Sequence, residues 1–126
     1  MRTYCNTQTQ YWVQAYAYSD NIWEIEVADA DGEPVDLTGT EITARLKADL
    51  RDGDRDAVGE LECEITDAPN GVLICRLPAG TVPPGSYYCS VRIAWPEGSH
   101  SPLAGRAVTV AELAIYVRAE ATREGR

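Results

Sequence analysis

Residues 83–95 constrain the fold more than any other stretch, because a Pro-Pro-Gly turn leads there into an uninterrupted alternating run. The first set of alternating residues comprises Tyr87, Cys89, Val91, Ile93 and Trp95. The residues between them are Tyr88, Ser90, Arg92 and Ala94. β-Branched and aromatic residues at a period of two predict a strand with one buried face. We expect this run to be the central strand of an all-β domain.

Shorter alternating segments, separated by turn residues, occur on both sides of this strand. They predict strands near residues 11–18, 23–27, 42–48, 60–65 and 73–77. Together with the C-terminal segment, they amount to about seven or eight short strands, which favours an antiparallel β-sandwich. We expect a polar N-terminal arm at residues 1–10, the sandwich at 11–118 and a charged tail at 119–126. The arm is predicted to be a loose terminus or, alternatively, to lie on a neighbouring subunit.

The last alternating segment changes parity. Val108 and Val110 follow one parity, whereas Leu113, Ile115 and Val117 follow the other. The change near residues 111–112 predicts a β-bulge or a break between two strands. A short helix over 111–119 fits the spacing less well.

The charge balance excludes some classes of partner. The chain carries 20 acidic and 11 basic residues, a formal charge of −9. Because nucleic-acid affinity depends on Lys and Arg neutralising phosphates, we expect no nucleic-acid partner. No apolar run approaches the roughly 20 residues that span a bilayer, and no signal-peptide core precedes residue 10. We therefore expect no membrane partner and synthesis in a cytoplasm.

The four cysteines do not follow a metal-binding pattern, because no CxxC spacing occurs and the chain has one histidine. Three of them fall on inward strand positions, where a free cysteine acts as a small hydrophobe. A hairpin symmetric about Pro69 would place Cys63 opposite Cys75. A disulfide between these two is a hypothesis, since four cysteines permit three complete pairings.

No pattern in the sequence predicts catalysis. Asp52, Asp54 and Asp56 alternate as in a calcium-binding loop, but the sixth and twelfth positions hold Ala57 and Cys63 instead of glycine and glutamate. The single histidine, His100, has serine neighbours but no Gly-x-Ser-x-Gly elbow. We therefore expect a non-enzymatic protein without a cofactor or a bound metal.

The order and spacing of several turn signatures resemble a family of phage proteins. Asp-Gly-Glu-Pro-Val-Asp-Leu-Thr-Gly stands at 31–39, Pro-Gly-Ser-Tyr at 84–87 and Gly-Arg-Ala-Val-Thr-Val at 105–110, with a hairpin turn at 67–71. Across residues 19–110 the chain resembles small tailed-phage virion proteins, in particular the N-terminal β-sandwich of phage baseplate upper proteins and related tail-fibre attachment domains.

The resemblance implies an Ig-like module in a virion, at the neck or collar, the tail or the baseplate, present in several copies beside other virion proteins. It implies no catalytic residue. Such modules act by docking, and the candidate interface residues are Tyr4, Cys5, Tyr11 and Trp12, since aromatic residues dominate interface energetics. A disulfide through Cys5 to a neighbouring copy is a further hypothesis. The alternative function is a receptor- or carbohydrate-binding sandwich, for which we expect exposed aromatic residues on a concave face.

Overall fold

The computed structural model describes residues 2–4, 10–49, 57–99 and 103–119, and within them it contains strands and no helix. Nine strands occur in this part of the chain. They are β1 (Arg2–Tyr4), β2 (Gln10–Tyr16), β3 (Asn21–Ala28), β4 (Glu41–Lys47), β5 (Gly59–Glu60), β6 (Glu62–Asp67), β7 (Val72–Leu77), β8 (Gly85–Ala94) and β9 (Ala107–Arg118). None of the described residues forms a helix long and apolar enough to cross a membrane.

The strands form two sheets. One has the order β1-β3-β7-β6 and the other has the order β2-β9-β8-β4-β5. Buried residues from both sheets form one hydrophobic cluster, which confirms the predicted all-β sandwich. Five of the seven strand pairs are antiparallel, whereas β1 pairs with β3 and β2 pairs with β9 in parallel.

The parallel pairing of β1 with β3 revises the expectation for the N-terminus. Arg2–Tyr4 were expected to belong to a loose terminus or to lie on another subunit, but their backbone pairs with residues 26–28 of the same chain. The reason is that both sheets have an open edge near the N-terminus, and unpaired edge N–H and C=O groups favour any strand that reaches them. Sequence periodicity does not report such pairings.

The core confirms the predicted central strand. Strand β8 lies between β9 and β4, and its buried residues are Tyr87, Cys89, Val91 and Ile93, with Trp95 buried just beyond its end. Ala15 and Ala17 on the N-terminal side and Leu73, Cys75 and Leu77 in β7 are buried in the same cluster. The alternation therefore predicted which face of each segment is buried.

The predicted strand near 60–65 is in fact two strands in different sheets. Gly59–Glu60 pairs with β4, and Glu62–Asp67 pairs with β7. Leu61, between them, is 4% exposed and its N–H donates to the carbonyl oxygen of Ala44 at 2.8 Å. Because the inward parity continues through Leu61, Cys63 and Ile65, the alternation did not reveal that the chain changes sheet.

Strand β9 is continuous and contains a bulge. Val91 pairs with Ala111 and Arg92 pairs with Thr109, which leaves Val110 as the extra residue. Val110 and Ala111 are both buried. The bulge thus turns the apolar residues on both of its sides towards the core. This confirms the predicted bulge and excludes the alternatives of a strand break and a short helix.

The connection between β3 and β4 contains the turn signature at residues 31–39. The Asp29 carboxylate accepts hydrogen bonds from the N–H groups of Asp31 and Glu33 at 2.9 and 3.0 Å. Asp36 accepts from both the N–H and the hydroxyl of Thr38, which lowers the pKa of Asp36. The Trp95 indole N–H donates to the Asp36 carbonyl oxygen at 3.1 Å and so ties the connection to the end of β8.

We expect Gly71→Ala to destabilise the fold more than Gly80→Ala. Both glycines have a positive φ, 70° and 78°, which costs a non-glycine residue about 1–2 kcal/mol. A Cβ at Gly71 would also lie 2.5 Å from the Val27 carbonyl oxygen, whereas at Gly80 it would meet nothing within 4 Å. Urea unfolding should show that Gly71→Ala lowers the free energy of unfolding by on the order of 2 kcal/mol more than Gly80→Ala does. Equal losses would contradict this account of the turn.

The second prediction concerns the Tyr87 hydroxyl, which donates to the Pro83 carbonyl oxygen at 2.6 Å. Burial raises the pKa of Tyr87. We expect Tyr87→Phe to lower the free energy of unfolding by about 1 kcal/mol, since one hydrogen bond is lost. Tyr88→Phe on the opposite face is the matched control, with an expected change within about 0.5 kcal/mol. A Tyr87→Phe variant as stable as the control would refute a structural role for the hydroxyl.

Candidate binding groove

A groove lies on the outer face of the five-stranded sheet, with a volume of about 450 Å³. It crosses four strands, β2, β9, β8 and β4, and two rows of paired residues line it. One row consists of Gln10, Glu112, Ser90 and Arg45. The next row consists of Trp12, Ala114, Tyr88 and Lys47.

Each row has two central residues, one of them short. Ser90 lies beside Glu112 in the first row, and Ala114 lies beside Tyr88 in the second. Trp12 on β2 and Arg45 and Lys47 on β4 line the two sides. Because neighbouring strands are about 4.8 Å apart, a span from β2 to β4 is roughly 14 Å wide. A volume of this size lies within the range typical of small-molecule sites.

Positive charge dominates the groove. Its lining includes three cations, Arg45, Lys47 and Arg92, and one carboxylate, Glu112. Arg92 is exposed and makes no ion pair within the part of the chain that the structure describes. The Arg45 Nε atom lies 3.8 Å from a Glu60 carboxylate oxygen, and such an exposed pair contributes little stability. Glu112 accepts a hydrogen bond from the Gln10 amide at 3.2 Å.

The outer face of the opposite sheet carries the opposite charge. Four exposed glutamates, Glu24, Glu26, Glu62 and Glu64, lie there with the half-buried Arg76. The chain of net charge −9 therefore has one acidic sheet face and one face on which cations converge. The local charge of the groove is therefore more compatible with an anionic ligand than that of the acidic face.

The candidate interface residues are separated by the structure. Trp12 is 85% exposed, whereas Tyr11 is half-buried and packs against the core. Tyr4 lies at the end of β1, paired with Ala28, and Cys5 lies outside the described residues. The side chain of Trp12 is thus available to a partner.

Cys63 and Cys75 are brought together as the hairpin symmetry predicted. They are directly paired across β6 and β7, and their Sγ atoms lie 3.3 Å apart. Both thiols are free, so the disulfide between them stays a prediction. The register is fixed by the hairpin, in which the Asn70 amide donates to the Asp67 carboxylate at 2.8 Å.

The thiols differ in acidity because of their contacts. A hydrogen bond from the Cys75 thiol stabilises the Cys63 thiolate and lowers the pKa of Cys63. The same contact raises the pKa of Cys75. Burial is the main cause that raises the pKa of Cys89 to about 12. Cys63 is therefore the most easily ionised of these three cysteines.

Among the described residues, no group of three or more His, Cys, Asp or Glu side chains is placed to hold a metal ion. His100 and the aspartates at 52, 54 and 56 lie outside the described residues. Sequence reasoning missed the groove cations, although Arg45, Lys47 and Arg92 all stand at outward positions of alternating runs. The missing information was the strand order, which places β4 next to β8.

No protein-family model matches this chain, and a search of curated proteins gives no significant match.

We expect alkylation of the folded protein by N-ethylmaleimide to modify Cys63 faster than Cys75 or Cys89. The reason is the lowered pKa and partial exposure of Cys63. Peptide mass spectrometry across a pH series measures the three rates separately. Cys75→Ala should raise the apparent pKa of Cys63, whereas Cys75→Ser keeps a donor and should raise it less. Equal rates for Cys63 and Cys89 would contradict the proposed thiol contact.

Proposed function

We propose that the protein is a non-enzymatic structural component of a tailed-phage virion, located in the neck or collar, the tail or the baseplate. It docks onto neighbouring virion proteins and is present in several copies, after synthesis in the cytoplasm of the host. The resemblance across residues 19–110 supports this proposal, and the β-sandwich is the fold that the resemblance implies.

The observation that carries the docking proposal is the exposure of Trp12 in the middle of an edge strand. Among the described strands, β2 is the outermost of its sheet and pairs on one side only, with β9. Tyr16 in β2 and Tyr116 in β9 are also large and exposed. We define Trp12, Tyr16 and Tyr116 as the aromatic patch. An open strand edge beside exposed aromatic residues is typical of a surface that a partner covers.

An Ig-like connectivity is part of this proposal. If β3, β4, β6, β7, β8 and β9 are labelled B, C, D, E, F and G, the sheets contain the orders B-E-D and G-F-C, as in immunoglobulin domains. The Tyr87 hydroxyl bonds to the backbone four residues upstream, two residues before Cys89, in the manner of a tyrosine corner. The parallel pairing of β1 with β3 is a departure from the antiparallel sheets of that fold.

The docking proposal predicts that the chain is recovered with purified phage particles and that the aromatic patch is required. We expect the double variant Trp12→Ala/Tyr16→Ala to be incorporated at a lower level, because both side chains are exposed in the free protein and their loss should leave the core intact. Quantitative mass spectrometry of particles purified by density gradient measures the incorporation.

The matched control is Ile22→Ala, which removes a side chain that is 55% exposed on the opposite sheet. It should be incorporated like the unmodified chain. Absence of the unmodified chain from intact particles would refute the virion proposal. Normal incorporation of the double variant would refute the role of the aromatic patch.

The groove favours a second candidate function, a receptor- or carbohydrate-binding module. Trp12 and Tyr88 line a concave surface together with polar and charged side chains, as was expected of a carbohydrate-binding sandwich. Binding of the purified protein to a glycan array tests this candidate. If the protein binds a glycan, changes to the groove residues should weaken that binding. If instead changes to Glu24 or Glu64 on the acidic face abolish it, the site is not in the groove.

A further inference from the structure

We propose that the groove binds an acidic saccharide, one in which pyranose rings carry carboxylate groups. This inference names the ligand class for the second candidate function and does not depend on virion docking. The site consists of Trp12 on β2, Arg45 on β4 and Arg92 on β8, with Ser90 and Ala114 as short residues of the two central strands.

The centre of the groove holds two short side chains next to two longer ones, Tyr88 and Glu112. Ser90 and Ala114 lie on the two central strands of the groove, β8 and β9, and Trp12 is paired with Ala114 from the edge strand. The exposed Trp12 indole offers an apolar surface to the C–H face of a sugar ring. Aromatic side chains bury a large area per residue, which makes Trp12 the expected main contributor of apolar contact.

The cations select for a carboxylate. Arg45 and Ser90 are directly paired, and Arg92 is two residues further along β8. A guanidinium group presents a planar fork of donors that matches a carboxylate. Arg92 is exposed and has no ion-pair partner within the described ranges, so an incoming carboxylate does not have to displace an existing one there.

The remaining polar groups favour a saccharide over a peptide or a nucleic acid. Gln10 donates a hydrogen bond to Glu112 at one end of the groove, and the remaining donor of this amide and the lone pairs of this carboxylate match sugar hydroxyl groups, which both donate and accept. Three cations around a single carboxylate favour a ligand that carries more than one carboxylate. The overall charge of −9 opposes nucleic acid further.

The test is isothermal titration of the full chain with trigalacturonate, with the neutral trigalactose as the comparison probe. We expect trigalacturonate to bind at least about tenfold more tightly than the neutral trimer, and its affinity to fall as salt rises. Arg92→Ala should weaken trigalacturonate binding by about tenfold, the scale of one lost charged hydrogen bond. Trp12→Ala should weaken both trimers.

The matched control is Arg76→Ala, which removes an arginine from the acidic face and should leave binding unchanged. Circular dichroism and thermal unfolding establish that each variant is folded before titration. No heat of binding at millimolar trigalacturonate, or equal losses for the two arginine variants, would overturn the proposal. Tighter binding of a hexaglutamate peptide than of trigalacturonate would overturn the saccharide class.

The glycan array and the trigalacturonate titration distinguish failure of this inference from failure of the second candidate function. Binding of neutral glycans alone would overturn the acidic-saccharide inference and leave the second candidate function standing. Absence of all glycan binding would remove both. Incorporation into particles is measured without any saccharide, so the docking proposal is decided independently.

Discussion

Val91 and Ile93 of β8 are fully buried between the two sheets, and the burial of each such side chain contributes about 1.5–3 kcal/mol. Because side chains alternate along a strand, the same register places Ser90 and Arg92 on the outer face. A slip by one residue would expose the aliphatic residues and bury the arginine. The hydrophobic core therefore determines which side chains of β8 face the groove, although the groove cations themselves lie outside the core.

The bulge in β9 extends the same constraint to the neighbouring strand. With Val110 as the extra residue, the apolar side chains on both sides of the bulge are directed inward, and Glu112 and Ala114 are left on the groove side. The parallel pairing of β2 with β9 then brings Trp12 beside Ala114. Both proposed surfaces, the aromatic patch and the groove, thus depend on the pairing of β2 with β9.

Local patterns were enough to predict the buried faces and the hairpin. The alternation of residues 87–95 identified the core side of β8, and the Pro69 turn correctly placed Cys63 opposite Cys75. What the sequence did not reveal is which distant strands become neighbours. Trp12 meets Ala114 across about a hundred residues of chain, and the change of sheet at Leu61 leaves parity unaltered. Strand order depends on the packing of the whole domain and not on a local period.

The central claim is that the outer face of the five-stranded sheet is the binding face. Amide chemical-shift mapping on the ¹⁵N-labelled protein during a trigalacturonate titration tests it most directly. The account predicts shifts for residues 43–47, 88–92 and 112–114 and for the Trp12 indole N–H, with residues 22–26 and 62–65 unchanged. Shifts concentrated on β3, β6 and β7, or none at saturating saccharide, would contradict it.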